Sequence, residues 1–548
     1  MKLKRFLCLA LALVLAAGAL ALPAAAEERA PRSYYREEQL AYALKALGLF
    51  RGVSDRDLDL DGAPERAQAL VMMLRLMGLE TEAAAEEGEQ PFTDLDVCRW
   101  ASSYIGYAFR HGLAKGRSAA QFDGRGVAGA RDYLTFVLRA LGYEEGTDGD
   151  FLWRDPTPLA RALGLLPPLV RLDDFRRADV VTVSYAALSA KCKGSDATLA
   201  QTLAAQGVLA QSALDAYYDP AAAESGKLSG RVAENVMNFA KETRAPLGID
   251  VSGLTPQYHG AVALIGDAGY ELYSFYENGA ASVARQIAAG AAAVEGRARV
   301  FGIIVPNSMG AVLSYDDAAR LTYTQKSEPD AIRFAYEQMG DKVVTVDALT
   351  NLRLHNDEYI FFRTDHHWTA LGSYYAYQAW ADAAGKEPVN LDRFDARSAQ
   401  APLGLFYGAC NNPWQMEQNR DTIVAYVPHS SFTCDPANAM DYNFNATWGY
   451  NVFLGGDRGI TTIVNNDIQD DSACVLVKDS YGNPFATWLT QHYHTVYVID
   501  YRHYRSSWPY LTFSQFVEQK GVEDFIVLLP MTLSQADATA ACLSSYCK

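Results

Sequence analysis

The chain has no excess of positive charge. Its 548 residues include 48 Lys and Arg against 65 Asp and Glu, for a formal net charge of −17. We find no strongly basic stretch, so a polyanionic nucleic acid is not expected as a partner. The hydrophobic share of 49% and the charged share of 21% are those of folded globular proteins, which disfavours a disordered chain. The length predicts three or four folding units.

Long hydrophobic runs are missing, except for one at the start of the chain. Positive residues at 2–5 precede an apolar run over 6–22, and three alanines at 24–26 resemble a small-residue cleavage site. We expect residues 1–26 to be a secretory signal peptide. An uncleaved anchor is the alternative, but the run is short for the ~20 residues that span a bilayer. Loss of the three positive charges leaves −20 for the mature chain.

Cysteine pairs at zinc-site spacing are also absent. Only 8 cysteines occur, and the odd number left after the predicted leader excludes a complete disulfide framework. No cofactor motif is visible, so neither a resident metal nor an organic cofactor is expected. A weaker metal hypothesis joins His366 or His367 with His492 and His494, which alternate on one face of a strand.

The N-terminal part consists of three related helical units, at 34–80, 90–145 and 150–210. Apolar residues recur at helical spacing, as in Ala67–Gly78, and glycines follow the predicted helices. The pattern resembles three S-layer homology repeats. That resemblance implies an all-α trefoil that binds an anionic cell-wall polysaccharide, and it assigns polymer contact to Arg66 and Arg177. The alternative role for these arginines is to bridge or cap helices.

Residues 255–530 are predicted to form an α/β domain, joined to the repeats by a helical linker at 211–254 and followed by a tail at 531–548. Continuous apolar runs separated by helical segments are typical of a three-layer domain with a mainly parallel sheet. Residues 401–460 are predicted to be an insertion or a substrate-facing loop region. The predicted strands lie at 261–266, 300–305, 343–346, 359–362, 473–477, 496–499 and 525–529.

Two polar stretches follow predicted strands, where ligands of such sheets bind. In the first, His367 is the candidate base and Asp365 the residue that orients it. In the second, Ser480 is the candidate nucleophile, because a serine hydroxyl needs a neighbouring base to attack a carbonyl carbon. Gly482 and Asn483 are the candidate oxyanion residues. His366 as the base, and Ser480 as a mere helix cap, are the alternatives.

Thr-Asp-His-His-Trp-Thr at 364–369 and Lys-Asp-Ser-Tyr-Gly-Asn at 478–483 resemble the bacterial DHHW protein family. That family resembles the SGNH-hydrolase-like domains of periplasmic alginate O-acetyltransferases, in which an Asp-x-His pair precedes the serine. Carried over, the pattern assigns catalytic roles to Asp365, His367 and Ser480.

We therefore expect an exported, wall-associated enzyme that acetylates or deacetylates an envelope polysaccharide. A transferase would need a membrane partner to deliver acyl groups, whereas an esterase would need only water. The alternative is a non-catalytic glycan-binding surface protein with a degenerate SGNH-like domain. Tyr407 and Trp414, in a loop rich in glycine and asparagine, are candidates for sugar stacking.

Overall fold

The computed structural model describes residues 34–322, 326–444, 449–507, 509–531 and 536–548. The predicted signal peptide lies outside these residues. Within the ranges that are described, none of the helices has the length and apolar character needed to cross a bilayer.

The first part of the chain is helical. Its helices share one hydrophobic core, and glycines with left-handed backbone angles follow several of them, as at Gly48 (φ 76°) and Gly78 (φ 72°). The helices are Tyr35–Ala46, Arg66–Leu76, Glu80–Ala85, Ser102–Arg110, Ala130–Ala140, Thr157–Ala162, Arg177–Ala187, Leu199–Ala205, Gln211–Tyr217, Pro220–Ser225 and Gly230–Thr243, with a 3₁₀ segment at Leu95–Ala101.

Hydrogen bonds connect the predicted repeats to one another. The N–H of Arg66 donates to the carbonyl of Gly126 at 2.8 Å, so the first unit contacts a loop of the second. The N–H of Arg177 donates to the carbonyl of Gly62 at 2.9 Å, so the third contacts a loop of the first. Both donors are backbone N–H groups in the first turn of a helix, where an N–H group has no acceptor within its own helix.

The second part of the chain is a mixed α/β region. Its helices are Glu277–Ala293, Ser308–Val312, Tyr315–Leu321, Glu328–Met339, Ala348–Leu354, Ala370–Ala383, Leu405–Ala409, Trp414–Gln418, Gly482–Leu489, Phe513–Lys520 and Ala536–Leu543. Its strands are β1 Gln257–His259, β2 Val262–Ile265, β3 Ala268–Glu271, β4 Arg299–Val305, β5 Val343–Val346, β6 Phe394–Gln400, β7 Thr422–Pro428, β8 Phe432–Asp435, β9 Ile460–Asn465, β10 Ala473–Lys478, β11 Thr495–Asp500 and β12 Asp524–Pro530. Short 3₁₀ segments occur at Leu391–Arg393, Gly449–Val452 and Tyr504–Ser506.

Among the described residues, seven strands form the main sheet in the order β5-β4-β12-β10-β11-β9-β8. The first five pair in parallel, whereas β9 pairs antiparallel with β11 and β8 antiparallel with β9. The sheet is therefore mixed, and the expectation of a mainly parallel sheet is corrected to this extent. The antiparallel edge escaped prediction because β9 buries only alternate residues and has no continuous apolar run.

Three other predicted segments differ from the structure. The run at 261–266 contains β2, which belongs to a separate antiparallel sheet with β1 and β3. Residues 359–362 are not a strand, and Phe361 forms only an isolated bridge with Trp368. The region 401–460 contains β7, which pairs with β6, and β8, so it is partly regular structure.

Helices cover both faces of the main sheet. On β4, the ring of Phe301 lies 6.1 Å from the ring of Trp380 in the helix Ala370–Ala383. The next residue, Gly302, faces the helix Glu328–Met339, where a Cβ at Gly302 would lie only 2.6 Å from the Met339 sulfur. Since successive residues of a strand point to opposite faces, these helices form the two outer layers.

A buried arginine joins the helical part to the α/β region. Arg244 is 1% exposed and donates to the carbonyl of Arg56 at 2.9 Å, to Asn356 Oδ1 at 2.8 Å and to Asp357 Oδ1 at 2.7 Å. A buried charge held by several acceptors fixes the segments that supply them. We therefore treat the full chain as the unit for experiments.

Candidate active site

Ser480 lies in the turn between β10 and the helix Gly482–Leu489. The turn is closed by the N–H of Gly482, which donates to the carbonyl of Asp479 at 3.0 Å, and by that of Asn483, which donates to the carbonyl of Ser480 at 3.1 Å. A Cβ at Gly482 would lie 2.3 Å from the Lys478 Cβ, so only glycine allows the helix to start this close to the strand. The sequence thus places Ser480 at the carboxyl end of a central strand.

The loop that carries Asp365 and His367 is held at both ends. Phe361 and Trp368 form its β-bridge, and the N–H of Phe362 donates to the carbonyl of His367 at 3.1 Å. After the loop, the Thr369 side chain caps the helix Ala370–Ala383.

Asp421 holds the other side of this loop. Its carboxylate accepts the N–H of Arg363 at 2.8 Å, the N–H of Thr364 at 2.8 Å and the Thr364 hydroxyl at 2.5 Å, and it also accepts the Tyr359 hydroxyl. Asp421 is buried, so these bonds are shielded from water. No local sequence pattern connects Asp421 with a loop some sixty residues earlier, so the role of this residue could not be predicted from the sequence.

The structure connects the side chains of Asp365, His367 and Ser480 by two successive hydrogen bonds. His367 Nε2 lies 2.8 Å from Ser480 Oγ, and His367 Nδ1 lies 2.6 Å from Asp365 Oδ1. The same carboxylate oxygen accepts the N–H of His367 at 3.0 Å. With Nδ1 protonated toward Asp365, Nε2 can accept the proton of the serine hydroxyl.

Three ionisable groups around the serine have shifted pKa values. Burial acts to raise the pKa of Asp365, but the hydrogen bond and charge of His367 lower it well below its usual range. Burial and the neighbouring His367 lower the pKa of His366 to about 4. Burial raises the pKa of Asp479 to about 6, partly offset by the N–H of Tyr481 and the charge of Arg502.

A cleft of about 540 Å³ opens at Ser480. Leu405 and Pro530 supply apolar wall, and His366 and Arg502 supply polar groups. The volume falls within the range of small-molecule and cofactor sites. The serine hydroxyl is therefore accessible from solvent to a small molecule.

Residues 234–499 match the family model described as DHHW protein. The match covers just under half of the chain and includes Asp365, His366, His367 and Trp368, which spell the four letters of that description. It also includes Ser480 and ends before Arg502.

The solved structures that are similar to the chain include a DHHW family protein and an O-acetyltransferase domain. A DHHW family protein from Eubacterium siraeum is 22% identical, covers 55% of this chain and 98% of its own, and gives a TM-score of 0.46. The O-acetyltransferase domain of Pseudomonas putida AlgJ is 14% identical, covers 53% of this chain and 100% of its own, and gives a TM-score of 0.32.

Curated relatives match a shorter part of the chain. The Middle cell wall protein of Brevibacillus brevis is 29% identical over 140 residues, which is 26% of this chain. The chain spans only 13% of that relative's length.

The candidate oxyanion residues, Gly482 and Asn483, already use their donors in other hydrogen bonds. The N–H groups of Gly482 and Asn483 close the turn, and the Asn483 side chain donates to Asp457 Oδ1 at 3.1 Å. Their expected role is therefore not supported by this geometry. By contrast, the backbone N–H of Ser480 has no hydrogen-bond partner among the described residues.

An ion network next to the serine turn, with Lys478 and Asp500 buried and Asp457 and Arg502 partly exposed, is not predicted from the sequence either. Lys478 Nζ lies 3.0 Å from Asp457 Oδ1 and 3.2 Å from Asp500 Oδ2, and Arg502 Nη2 lies 2.7 Å from Asp457 Oδ2. Each charge contacts charges of the opposite sign, which compensates the burial of Lys478 and Asp500. The network holds the guanidinium of Arg502 beside the cleft.

The histidines do not form the cluster of the weaker metal hypothesis. His492 Nε2 lies 2.7 Å from the Tyr377 hydroxyl, and His494 Nδ1 lies 3.1 Å from Thr495 Oγ1. Asp365, His366 and His367 do bring one possible ligand atom each within 4.8 Å of one another. However, His367 uses both ring nitrogens for Asp365 and Ser480, so a metal ion at this group would have to displace one of those contacts.

The two arginines of the helical part lie in different surroundings. Arg66 lines a groove of about 220 Å³, and its Nη1 lies 2.6 Å from Asp132 Oδ1. Arg177, which is as buried as Arg66, has Nε 3.4 Å from the Leu58 carbonyl and 3.4 Å from Asp59 Oδ2. Both therefore bridge structural elements, and only Arg66 also borders the groove.

Proposed function

We propose that the chain is an exported enzyme of the cell envelope that transfers or hydrolyses O-acetyl groups of a polysaccharide through an acyl-Ser480 intermediate. The observation that carries this proposal is the hydrogen-bonded line from Asp365 through His367 to Ser480, with 2.6 and 2.8 Å between the paired atoms. A base next to a serine, itself oriented by a carboxylate, is the arrangement that acyl transfer requires.

In the first half of the reaction, Ser480 Oγ attacks the carbonyl carbon of an acyl ester. Its proton passes to His367 Nε2 as the new C–O bond forms. Asp365 keeps the imidazole in the required tautomer and stabilises the imidazolium. The protonated histidine then gives its proton to the departing alkoxide, so an alcohol leaves and the acyl group remains on Ser480.

The negative charge that develops on the carbonyl oxygen needs a donor. The backbone N–H of Ser480 is the available group, because it is unpaired among the described residues. It lies just before the helix Gly482–Leu489, whose amino end favours negative charge. This assignment replaces Gly482 and Asn483 as the oxyanion donors.

In the second half, His367 removes a proton from an acceptor hydroxyl, which attacks the acyl carbon and releases Ser480. A sugar hydroxyl as acceptor gives an O-acetyltransferase, and water gives an O-acetylesterase. Acetyl-CoA is not expected outside the cell, so the transferase would receive acyl groups from a membrane partner.

The envelope location and polymer binding rest on the helical part. Its groove carries Lys115, Arg117 and Arg139 in addition to Arg66, against the two acids Asp132 and Glu145. A net positive groove in a strongly acidic chain favours an anionic polymer, and guanidinium groups suit carboxylates. The cell-wall name of the curated relative supports the same location.

Ester hydrolysis tests the enzyme proposal. The full-length protein should release p-nitrophenol from p-nitrophenyl acetate, whereas Ser480→Ala and His367→Ala should lose at least about 10³-fold of the rate. Equal rates in all three proteins would contradict the proposal. That outcome would favour the second candidate function, a non-catalytic glycan-binding protein. The observation that favours this second function is that the donors of Gly482 and Asn483 are already hydrogen-bonded.

Sedimentation with purified cell walls tests the anchoring proposal. Arg117→Glu should reduce the bound fraction, because it reverses a charge that lines the groove. Lys191→Glu is the matched control, since Lys191 is exposed on the third predicted repeat and pairs with Asp196. Equal loss in both variants, or in neither, would contradict a role for the groove.

A further inference from the structure

We propose that Trp368 and Tyr481 are positioning residues that set the distance between His367 and Ser480. Each is the chain neighbour of one member of the pair, Trp368 after the base and Tyr481 after the nucleophile. Two hydrogen bonds between these neighbouring segments hold the base against the serine. The inference deepens the proposed function and rests on it where catalysis is the readout.

The two bonds run in opposite directions between the segments. The indole Nε1–H of Trp368 donates to the carbonyl of Tyr481 at 2.8 Å. The hydroxyl of Tyr481 donates to the carbonyl of His366 at 2.6 Å. Together with the bond from His367 to Ser480, they give three hydrogen bonds between the histidine loop and the serine turn.

Burial makes these bonds effective restraints. Trp368 is 0% exposed and Tyr481 is 2% exposed, so water does not compete for their donors. A buried donor that loses its acceptor is costly, which keeps the two segments together. The edge-to-face contact of their rings, with centroids 5.9 Å apart, adds to the restraint.

The histidine loop lies outside the main sheet, and its bonds to Asp421 hold residues 359–364 rather than His367 itself. Its regular pairing is one isolated bridge between Phe361 and Trp368. Ser480 follows β10 in the centre of the sheet and is fixed by that strand. The ring of Tyr481 also lies 5.0 Å from the His367 ring, so a change in the Tyr481 position reaches the base directly.

The test uses Tyr481→Phe and Trp368→Phe in the full-length protein. The first removes only the hydroxyl, and the second removes the indole N–H while leaving an aromatic ring. Tyr374→Phe and Trp488→Phe are the matched controls. Tyr374 is a buried tyrosine that donates to the Val389 carbonyl at 2.9 Å, and Trp488 is a buried tryptophan that donates to Ser373 Oγ at 3.2 Å.

The first readout is p-nitrophenyl acetate turnover by the folded fraction. We expect kcat to fall about 10- to 100-fold in Tyr481→Phe and Trp368→Phe with little change in KM, since a displaced base slows only the chemical step. Both controls should keep kcat within about threefold of the unsubstituted protein. A loss of thermal stability with unchanged kcat in all four variants would overturn the inference, because it indicates a structural role alone.

The second readout does not depend on catalysis. In crystal structures of Tyr481→Phe and Trp368→Phe, the distance from His367 Nε2 to Ser480 Oγ should increase from 2.8 Å to beyond about 3.5 Å, past hydrogen-bonding range. An unchanged distance would overturn the inference even if the variants lost activity. An increased distance in a protein that hydrolyses no ester would support the positioning role while the proposed enzyme function failed.

Discussion

His367 and Ser480 are 113 residues apart in the chain, yet His367 Nε2 lies 2.8 Å from Ser480 Oγ. The contact joins an irregular loop to the carboxyl end of a central strand of the main sheet. Asp365 completes the line from the other side of the imidazole, with Oδ1 2.6 Å from Nδ1. Acyl transfer through Ser480 depends on this geometry.

Asp365→Asn is expected to lower ester turnover on the order of 10³- to 10⁴-fold at neutral pH. An amide in this position can donate to Nδ1 and favour the wrong tautomer, in which Nε2 no longer accepts the Ser480 proton. Steady-state kinetics with p-nitrophenyl acetate measures the effect. A loss of less than about tenfold would show that Asp365 does not orient the base.

Asp365 should also contribute to the acid sensitivity of the fold. Its pKa in the folded protein is well below the unfolded value of about 3.9, so its carboxylate stabilises the fold fully above that pH. The contribution disappears as the pH falls below about 3.9 toward the folded pKa. Urea midpoints measured from neutral to acid pH should therefore decline less steeply in Asp365→Asn, and an identical decline would contradict the assignment.

Asp421→Asn should destabilise the protein by about 2–4 kcal/mol, because one carboxylate accepts bonds from several donors of the histidine loop. The amide nitrogen cannot accept, so buried donors lose their partner. The free energy of unfolding from urea titration is the measurement. Asp395→Asn, at an exposed carboxylate 3.0 Å from His429 Nε2, should change it by less than about 0.5 kcal/mol. Equal effects would contradict the anchoring role.

The two adjacent histidines should differ sharply in importance. His367→Asn removes the base and should lower turnover on the order of 10³-fold or more, whereas His366→Asn should lower it by less than about tenfold. His366 Nδ1 lies 3.4 Å from Asp365 Oδ1. The pKa of His366, about 4, keeps its imidazole neutral in assays above pH 5. The reverse order of effects would make His366 the base.

Activity should not require a metal ion. Treatment with a chelator is expected to leave ester turnover unchanged, whereas added Zn²⁺ should inhibit by competing for Asp365, His366 and His367, whose ligand atoms lie within 4.8 Å. Mg²⁺ prefers oxygen ligands and should have no effect. Loss of activity on chelation, restored by Zn²⁺, would contradict the acyl-serine mechanism.

Much of the sheet could be predicted because buried parallel strands leave a continuous apolar run in the sequence. Runs at 300–305, 473–477 and 525–529 fall within β4, β10 and β12. The run at 359–362 is also apolar but forms a single bridge. A short apolar segment alone does not distinguish a strand from a buried loop, so the sequence could not separate the two cases.

The types and order of the three proposed catalytic residues could be read from the sequence, but the residues that support them could not. Asp365, His367 and Ser480 belong to two compact motifs, so their types and order sufficed for the hypothesis. Asp421 and Lys478 act through partners that are distant in the chain, and no local spacing indicates them. Tyr450, whose ring stacks on His367 with centroids 4.0 Å apart, lies in a segment rich in glycine and asparagine without periodicity.

The most direct measurement is peptide mapping by mass spectrometry after brief reaction of the full-length protein with p-nitrophenyl acetate and acid quenching. The account predicts one added acetyl group on the tryptic peptide that begins at Asp479, located at Ser480, and its absence in Ser480→Ala and His367→Ala. Release of p-nitrophenol at the same rate by Ser480→Ala, or an acetyl group located only at other residues, would contradict the acyl-Ser480 mechanism.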